Sequence, residues 1–100
     1  MSPEKQRVAI ARACGWEYCD GWHHPDGGDC LPDYLNDLNA MHEAEKVLTD
    51  RQTRTYTANL WRMTHYAKIF SSIHATAPQR CEAFLRTLGL WEEKINPDND

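Results

Sequence analysis

Apolar residues recur three and four positions apart through much of this chain, and the clearest series lies near its end, at Cys81, Phe84, Leu85 and Leu88. That spacing puts four side chains on one helical face, so the segment is predicted to be a helix with a buried stripe. Its start is locally specified: Thr76 with Gln79 forms a capping box, the helix begins at Ala77, and Pro78 sits in the first turn, where a missing N–H breaks no helical bond. Gly89 is placed to end it in the left-handed conformation, with Leu90 positioned to fold back on the last turn as in a Schellman cap.

The same pattern predicts three earlier helices. Ser2 before Pro3, with Glu4 in the first turn, opens the first, and Val8, Ile10, Ala11, Ala13 and Cys14 give it an apolar side before Gly15 stops it. The second spans residues 32–48, capped by Asp33, with Leu35, Leu38, Met41, Ala44 and Leu48 on one side and Asn36, Asn39, Glu43 and Lys46 mostly on the other. Thr49 and Gln52 repeat the capping-box spacing and open the third, on which Tyr56, Leu60, Met63 and Ala67 recur at helical intervals. Residues 53–61 are rich in Thr and aromatics, so a strand is the alternative there.

Strand patterns are shorter. Trp16-Glu17-Tyr18-Cys19 alternates and is followed by the turn-rich residues 20–29, with Cys30-Leu31 as a candidate returning strand. Residues 68–75 are the best strand, with Ile69, Ser71, Ile73 and Ala75 on one face and Phe70, Ser72 and His74 on the other. The acidic residues 96–100 are expected to be a disordered tail, leaving residues 1–95 as a single domain. The fold class expected is an α/β (α+β) sandwich of about four helices packed on a small sheet.

A chain of 100 residues with 41% apolar content, five Gly and five Pro fits one compact domain. Fifteen acidic against eleven basic residues argue against a protein that grips duplex nucleic acid through many phosphates. No apolar run is long enough to cross a bilayer and no secretory pattern opens the chain, so a cytoplasmic protein without a membrane partner is expected. The four cysteines then read as reduced thiols, with Cys14 and Cys81 on buried helix faces.

Two blocks carry a family likeness: Leu31-Pro32-Asp33-Tyr34-Leu35-Asn36-Asp37-Leu38-Asn39-Ala40-Met41-His42-Glu43-Ala44-Glu45-Lys46-Val47-Leu48, and Ala75-Thr76-Ala77-Pro78-Gln79-Arg80-Cys81-Glu82-Ala83-Phe84-Leu85. They resemble the phage ABA-sandwich family of small bacteriophage and prophage proteins, and the opening Ala11-Arg12-Ala13-Cys14-Gly15-Trp16 is similar too. The resemblance implies an α/β sandwich, phage-encoded and acting in the cytoplasm of an infected bacterium. It implies no reaction, because most of the family has no assigned role. Some phage proteins that look like this class sequester nucleotide second messengers of bacterial defence, without catalysis, at subunit interfaces. The first turn of the last helix departs from the family's pattern, since Gln79, Arg80 and Glu82 enter where a longer apolar stretch and an Arg are common.

Two constellations are candidate sites. Cys19, His23, His24 and Cys30 form Cys-x3-His-His-x5-Cys, a donor set for a closed, structural zinc site, although the spacing matches no standard finger and an ordinary flexible loop is the favoured reading. The second is an anion site at the start of the last helix, where Arg80, Arg86, His74 and Ser72 would hold a phosphate or small nucleotide against the exposed amides; a self-capped helix with solvated arginines competes with it. Enzymatic motifs are scarce: there is no phosphate-binding Gly loop, no Ser elbow and no His-Glu-x-x-His pair, and His42, Glu43 and Glu45 read as a solvated polar edge. A thiol–imidazole pairing of Cys19 with His23 lacks a third orienting group. Trp16, Trp22, Trp61, Trp91, Tyr18, Tyr56 and Tyr66 exceed what a small core requires, which favours surface aromatics and a homo-oligomer. The function expected is a non-catalytic binder of a small anionic, nucleotide-type ligand with no resident cofactor. The alternatives are an accessory protein that engages a host or phage protein and a zinc-stabilised module.

Overall fold

A computed structural model of the chain describes residues 1–25, 27–28, 30–66 and 75–92, the side chains of residues 64–66 excepted. It contains α1 (Pro3–Ala13), β1 (Glu17–Tyr18), β2 (Trp22–His23), α2 (Leu38–Glu45), α3 (Asp50–Tyr66) and α4 (Ala77–Thr87). The described architecture is therefore α+β, four helices with a two-stranded antiparallel sheet. The expected strand over residues 68–75 lies outside the described residues except for Ala75, which is buried. The acidic tail lies outside them too.

Helix α4 is the hub. The other three helices each pack on it, and its Cys81, Phe84 and Leu85 are completely enclosed. Ile10 and Ala11 of α1, Met41 and Ala44 of α2, and Tyr56 and Leu60 of α3 meet it in one core, joined by Leu31 and Tyr34 from the irregular segment before α2. Burying a side chain the size of Phe84 or Leu85 contributes about 1.5–3 kcal/mol, so this one helix concentrates much of the hydrophobic stabilisation.

The ends of α4 follow their sequence signals. Thr76 Oγ1 accepts from the Gln79 amide at 3.3 Å, and Gln79 Oε1 accepts from the Thr76 amide at 2.9 Å. At the other end Gly89 adopts φ 74°, its amide donates to the Arg86 carbonyl at 3.2 Å, and the Leu90 amide donates to the Leu85 carbonyl at 2.8 Å. Those are the two bonds of a Schellman motif. The Leu90 side chain itself stays exposed, and Trp91 instead lies beneath the Arg86 guanidinium, 5.2 Å from it.

Ser2 caps α1 by accepting from the Lys5 amide at 3.2 Å, and Thr49 with Gln52 forms reciprocal bonds before α3. The strand alternative for residues 53–61 fails because Tyr56 and Leu60 are buried while Ala58 between them is exposed, a four-residue period. The Thr55 and Thr57 hydroxyls bond back to the Arg51 and Thr53 carbonyls, which lets threonine sit on a helix surface.

Two expectations are corrected. The second helix starts at Leu38, not at residue 32, and its cap is Asp37, whose carboxylate accepts from the Asn39 and Ala40 amides. The Arg7 guanidinium donates to the Leu31 and Pro32 carbonyls at 2.6 and 2.9 Å, taking acceptors that an earlier helix would need and drawing residues 31–34 across α1. Asp33 closes a single turn there through its carbonyl. The second correction is the returning strand: it is Trp22–His23, not Cys30-Leu31. Glu17 pairs with His23 and Tyr18 with Trp22, across a Cys19-Asp20-Gly21 loop in which Asp20 and Gly21 take φ of 54° and 129°. Asp-Gly supplies those positive φ values at low cost, which makes the hairpin local.

Candidate functional site

Helix α2 divides two clefts. Its Ala40, Glu43 and Ala44, with Val47 just beyond its end, line one of about 360 Å³ facing the hairpin side, and its Leu38, His42 and Glu45 line another of about 440 Å³ facing α3. The second is the candidate site, because Arg80 of α4 and Tyr56 of α3 also line it.

Glu45 is the centre of this cleft. Arg80 Nη1 donates to Glu45 Oε2 at 2.9 Å, the Tyr56 hydroxyl donates to the same oxygen, and His42 Nδ1 lies 3.1 Å from Oε1. Arg80 also donates from Nε to the Ala75 carbonyl at 3.1 Å and is only 8% exposed. The last turn of α2 thus supplies an acceptor, and the first turn of α4 and the second turn of α3 supply the donors. Leu38, Leu48 and Leu60 form the apolar wall.

Burial pushes the Glu45 carboxyl up, but the hydrogen bonds from Tyr56, His42 and Arg80 outweigh it and hold the group below its ordinary value. It is an anion at neutral pH. Burial, then the facing carboxylate, pushes the Tyr56 phenol well above its ordinary value, so it remains a neutral donor. The reading of Glu45 as part of a solvated edge is thereby corrected: its side chain is only 20% exposed and ion-paired, whereas Glu43 is exposed as expected.

The anion-site residues do not gather as a group. Arg80 lies in the cleft with its charge matched by Glu45. Arg86 sits six residues on, roughly 9 Å along the helix axis, where its Nε donates to Glu82 Oε2 at 2.8 Å and its guanidinium covers Trp91. The capping box occupies amides at the helix start. His74 and Ser72 lie outside the described residues.

The zinc set is not assembled, and no group of three or more His, Cys, Asp or Glu side chains among the described residues is placed to hold a metal. The hairpin explains it. His23 and His24 turn to different carbonyls: His23 Nε2 lies 3.1 Å from the Cys19 carbonyl, and His24 Nε2 lies 2.9 Å from the Cys14 carbonyl. Cys19 and Cys30 are exposed free thiols, and all four cysteines are free.

The acceptor Glu45 was the residue sequence reasoning missed. Its partner stands 35 positions away, and only the helical phase of Met41 and Ala44 hinted that its face turns toward the protein. Among the described residues no helix is long and apolar enough to cross a membrane. No protein-family model, no curated protein and no solved structure matches this chain.

Proposed function

We propose that this chain is a small phage-encoded, non-catalytic binding protein that sequesters a nucleotide-type ligand, countering a defence signal in the cytoplasm of the infected bacterium. One observation carries the reading: the donors Arg80 and Tyr56, with His42 beside them, converge on a single carboxylate in an open cleft of about 440 Å³. Donors that satisfy a carboxylate satisfy a phosphate oxygen equally well, and a charged pair in a cleft can exchange one anion for another. In this reading the ligand phosphate displaces Glu45 from Arg80, and the base rests on Leu38, Leu48 and Leu60. The volume falls in the range of about 300–1,000 Å³ usual for small-molecule sites. The resemblance to phage ABA-sandwich proteins supports the setting.

The test is calorimetry with a panel of cyclic and linear nucleotides on the wild-type chain and on Glu45→Gln. Release of Arg80 from its internal partner is expected to tighten nucleotide binding by about tenfold, the order of one charge-assisted hydrogen bond. Unchanged melting temperatures across the panel for both proteins would end the reading.

A second reading is an accessory protein that engages a host or phage protein, or a second copy of itself. Tyr18 and Trp61, 65% and 59% exposed, favour it, since large aromatics in the open are the usual anchors of interfaces. Sedimentation of the wild type and of Trp61→Ser tests self-association: a heavier species lost in the variant supports it, and a wild-type monomer at high concentration removes it.

A further inference from the structure

The cleft on the opposite side of α2 is lined by Trp16, His24, Tyr34, Pro32, Cys14 and three α2 positions, with Lys46 and Val47 just past the helix end, and has a volume of about 360 Å³. Three aromatic rings meet there. Those of Trp16 and His24 lie 5.1 Å apart at 50°, forming a tilted wall, and the small side chains of Ala40, Ala44 and Cys14 leave the space beside it.

One polar contact ties this lining together. Within it, His24 Nε2 lies 2.9 Å from the Cys14 carbonyl. Burial pushes both the Tyr34 phenol and the Cys14 thiol above their ordinary values, so both stay protonated at neutral pH. An occupant finds the ring faces of Trp16, His24 and Tyr34 and the methyl groups of Ala40 and Ala44 inside. Flat apolar rings fit such a wall, because offset and edge-on ring pairs gain beyond their buried area.

Opposite charges sit together at the mouth. Glu43 and Lys46 pair with each other at 3.0 Å, and both side chains are 71% exposed. An exposed pair of this kind contributes little on its own and re-partners freely. One acid and one base side by side are complementary to a ligand that carries an ammonium and a carboxylate together.

We infer that this cleft is a binding site for a free aromatic amino acid, its ring against the wall of Trp16, His24 and Tyr34, its ammonium on Glu43 and its carboxylate on Lys46. The site lies across α2 from the Glu45–Arg80 cleft and is independent of what binds there. Its volume of about 360 Å³ lies at the low end of the range of about 300–1,000 Å³ usual for small-molecule sites and admits one bicyclic ring system.

The probe is L-tryptophan, with indole as the ring lacking both charges, titrated into the full chain by calorimetry and followed by the amide and methyl shifts of Trp16, Ala40 and Ala44. Saturable L-tryptophan binding with shifts at those residues is expected, with indole about tenfold weaker for want of two exposed ion pairs. The double variant Glu43→Gln, Lys46→Gln, altered only at exposed positions, is expected to bring L-tryptophan down to the affinity of indole. Ala40→Phe, which fills the cleft, is expected to abolish binding of both. Absence of saturation by L-tryptophan, equal affinity for indole and L-tryptophan, or undiminished binding by the double-Gln variant would each overturn the inference.

Discussion

Glu45 and Arg80, 35 residues apart in sequence, are joined by a 2.9 Å ion pair between the end of α2 and the start of α4, with both side chains largely withdrawn from water. Removing one member leaves the other as an uncompensated, partly buried charge, which typically costs about 3–5 kcal/mol. Arg80→Ala is therefore expected to lose stability by about 3 kcal/mol, and Glu45→Ala by a similar amount. The double substitution Glu45→Leu, Arg80→Met is expected to cost less than either alone. Urea unfolding of the four proteins checks this, and additive losses would count against a coupled pair.

The same network sets the response to pH. The folded Glu45 carboxyl lies below its ordinary value of 4.5, so its stabilisation is present at neutral pH and is lost as pH falls below 4.5. Tyr34 and Tyr56 shift the other way: raised above 10.0, they add stability that is present below that pH and is lost above it. Melting temperature is expected to hold between about pH 5 and pH 9 and to fall on both sides. Glu45→Gln should shallow the acid limb and Tyr56→Phe the alkaline one. Thermal melts of each variant across pH read this directly.

The caps of α4 should be separable from its packing. Thr76→Ala removes one partner of the capping box and is expected to cost about 1 kcal/mol. A Cβ at Gly89 would meet nothing within 4 Å, so Gly89→Ala is charged only with its φ of 74°, at about 1 kcal/mol. Phe84→Ala, by contrast, empties a fully buried site and is expected to cost about 3–5 kcal/mol. Chemical unfolding that ranked Thr76→Ala above Phe84→Ala would contradict α4 as the packed hub.

The four thiols are expected to react in a fixed order. Cys19 and Cys30 are exposed, Cys14 is half-buried, and Cys81 is sealed, with its thiol donating to the Tyr34 carbonyl at 3.3 Å and raised by burial, then by Asp33, to about 12. A maleimide time course read by peptide mass spectrometry should label Cys19 and Cys30 first and Cys81 only on unfolding.

Where a structural feature depended on neighbours within four residues, it could be read in advance. Thr76 with Gln79, Thr49 with Gln52, Ser2 before Pro3 and the Gly89 stop all form as their local chemistry requires. The start of α2 was misread because it is decided by Arg7, 25 positions from the Pro32 carbonyl it takes. Leu38, which looked like part of the apolar stripe, is 40% exposed, while Tyr34, outside that stripe, is buried in the core. The Asp20-Gly21 pair between aromatics was a legible hairpin signal that the surrounding turn residues obscured. At the site, Arg80 was found by its position on α4, but nothing near it in sequence announced that Glu45 would meet it.

Because α1, α2 and α3 each rest on α4 and touch one another little among the described residues, their order of synthesis opposes their order of assembly. The three earlier helices leave the ribosome with their apolar stripes uncovered and can close only when Phe84 and Leu85 arrive. Folding of this chain is thus expected to wait on the emergence of its last described helix, and a nascent chain stalled before Thr76 is expected to be a client for chaperones.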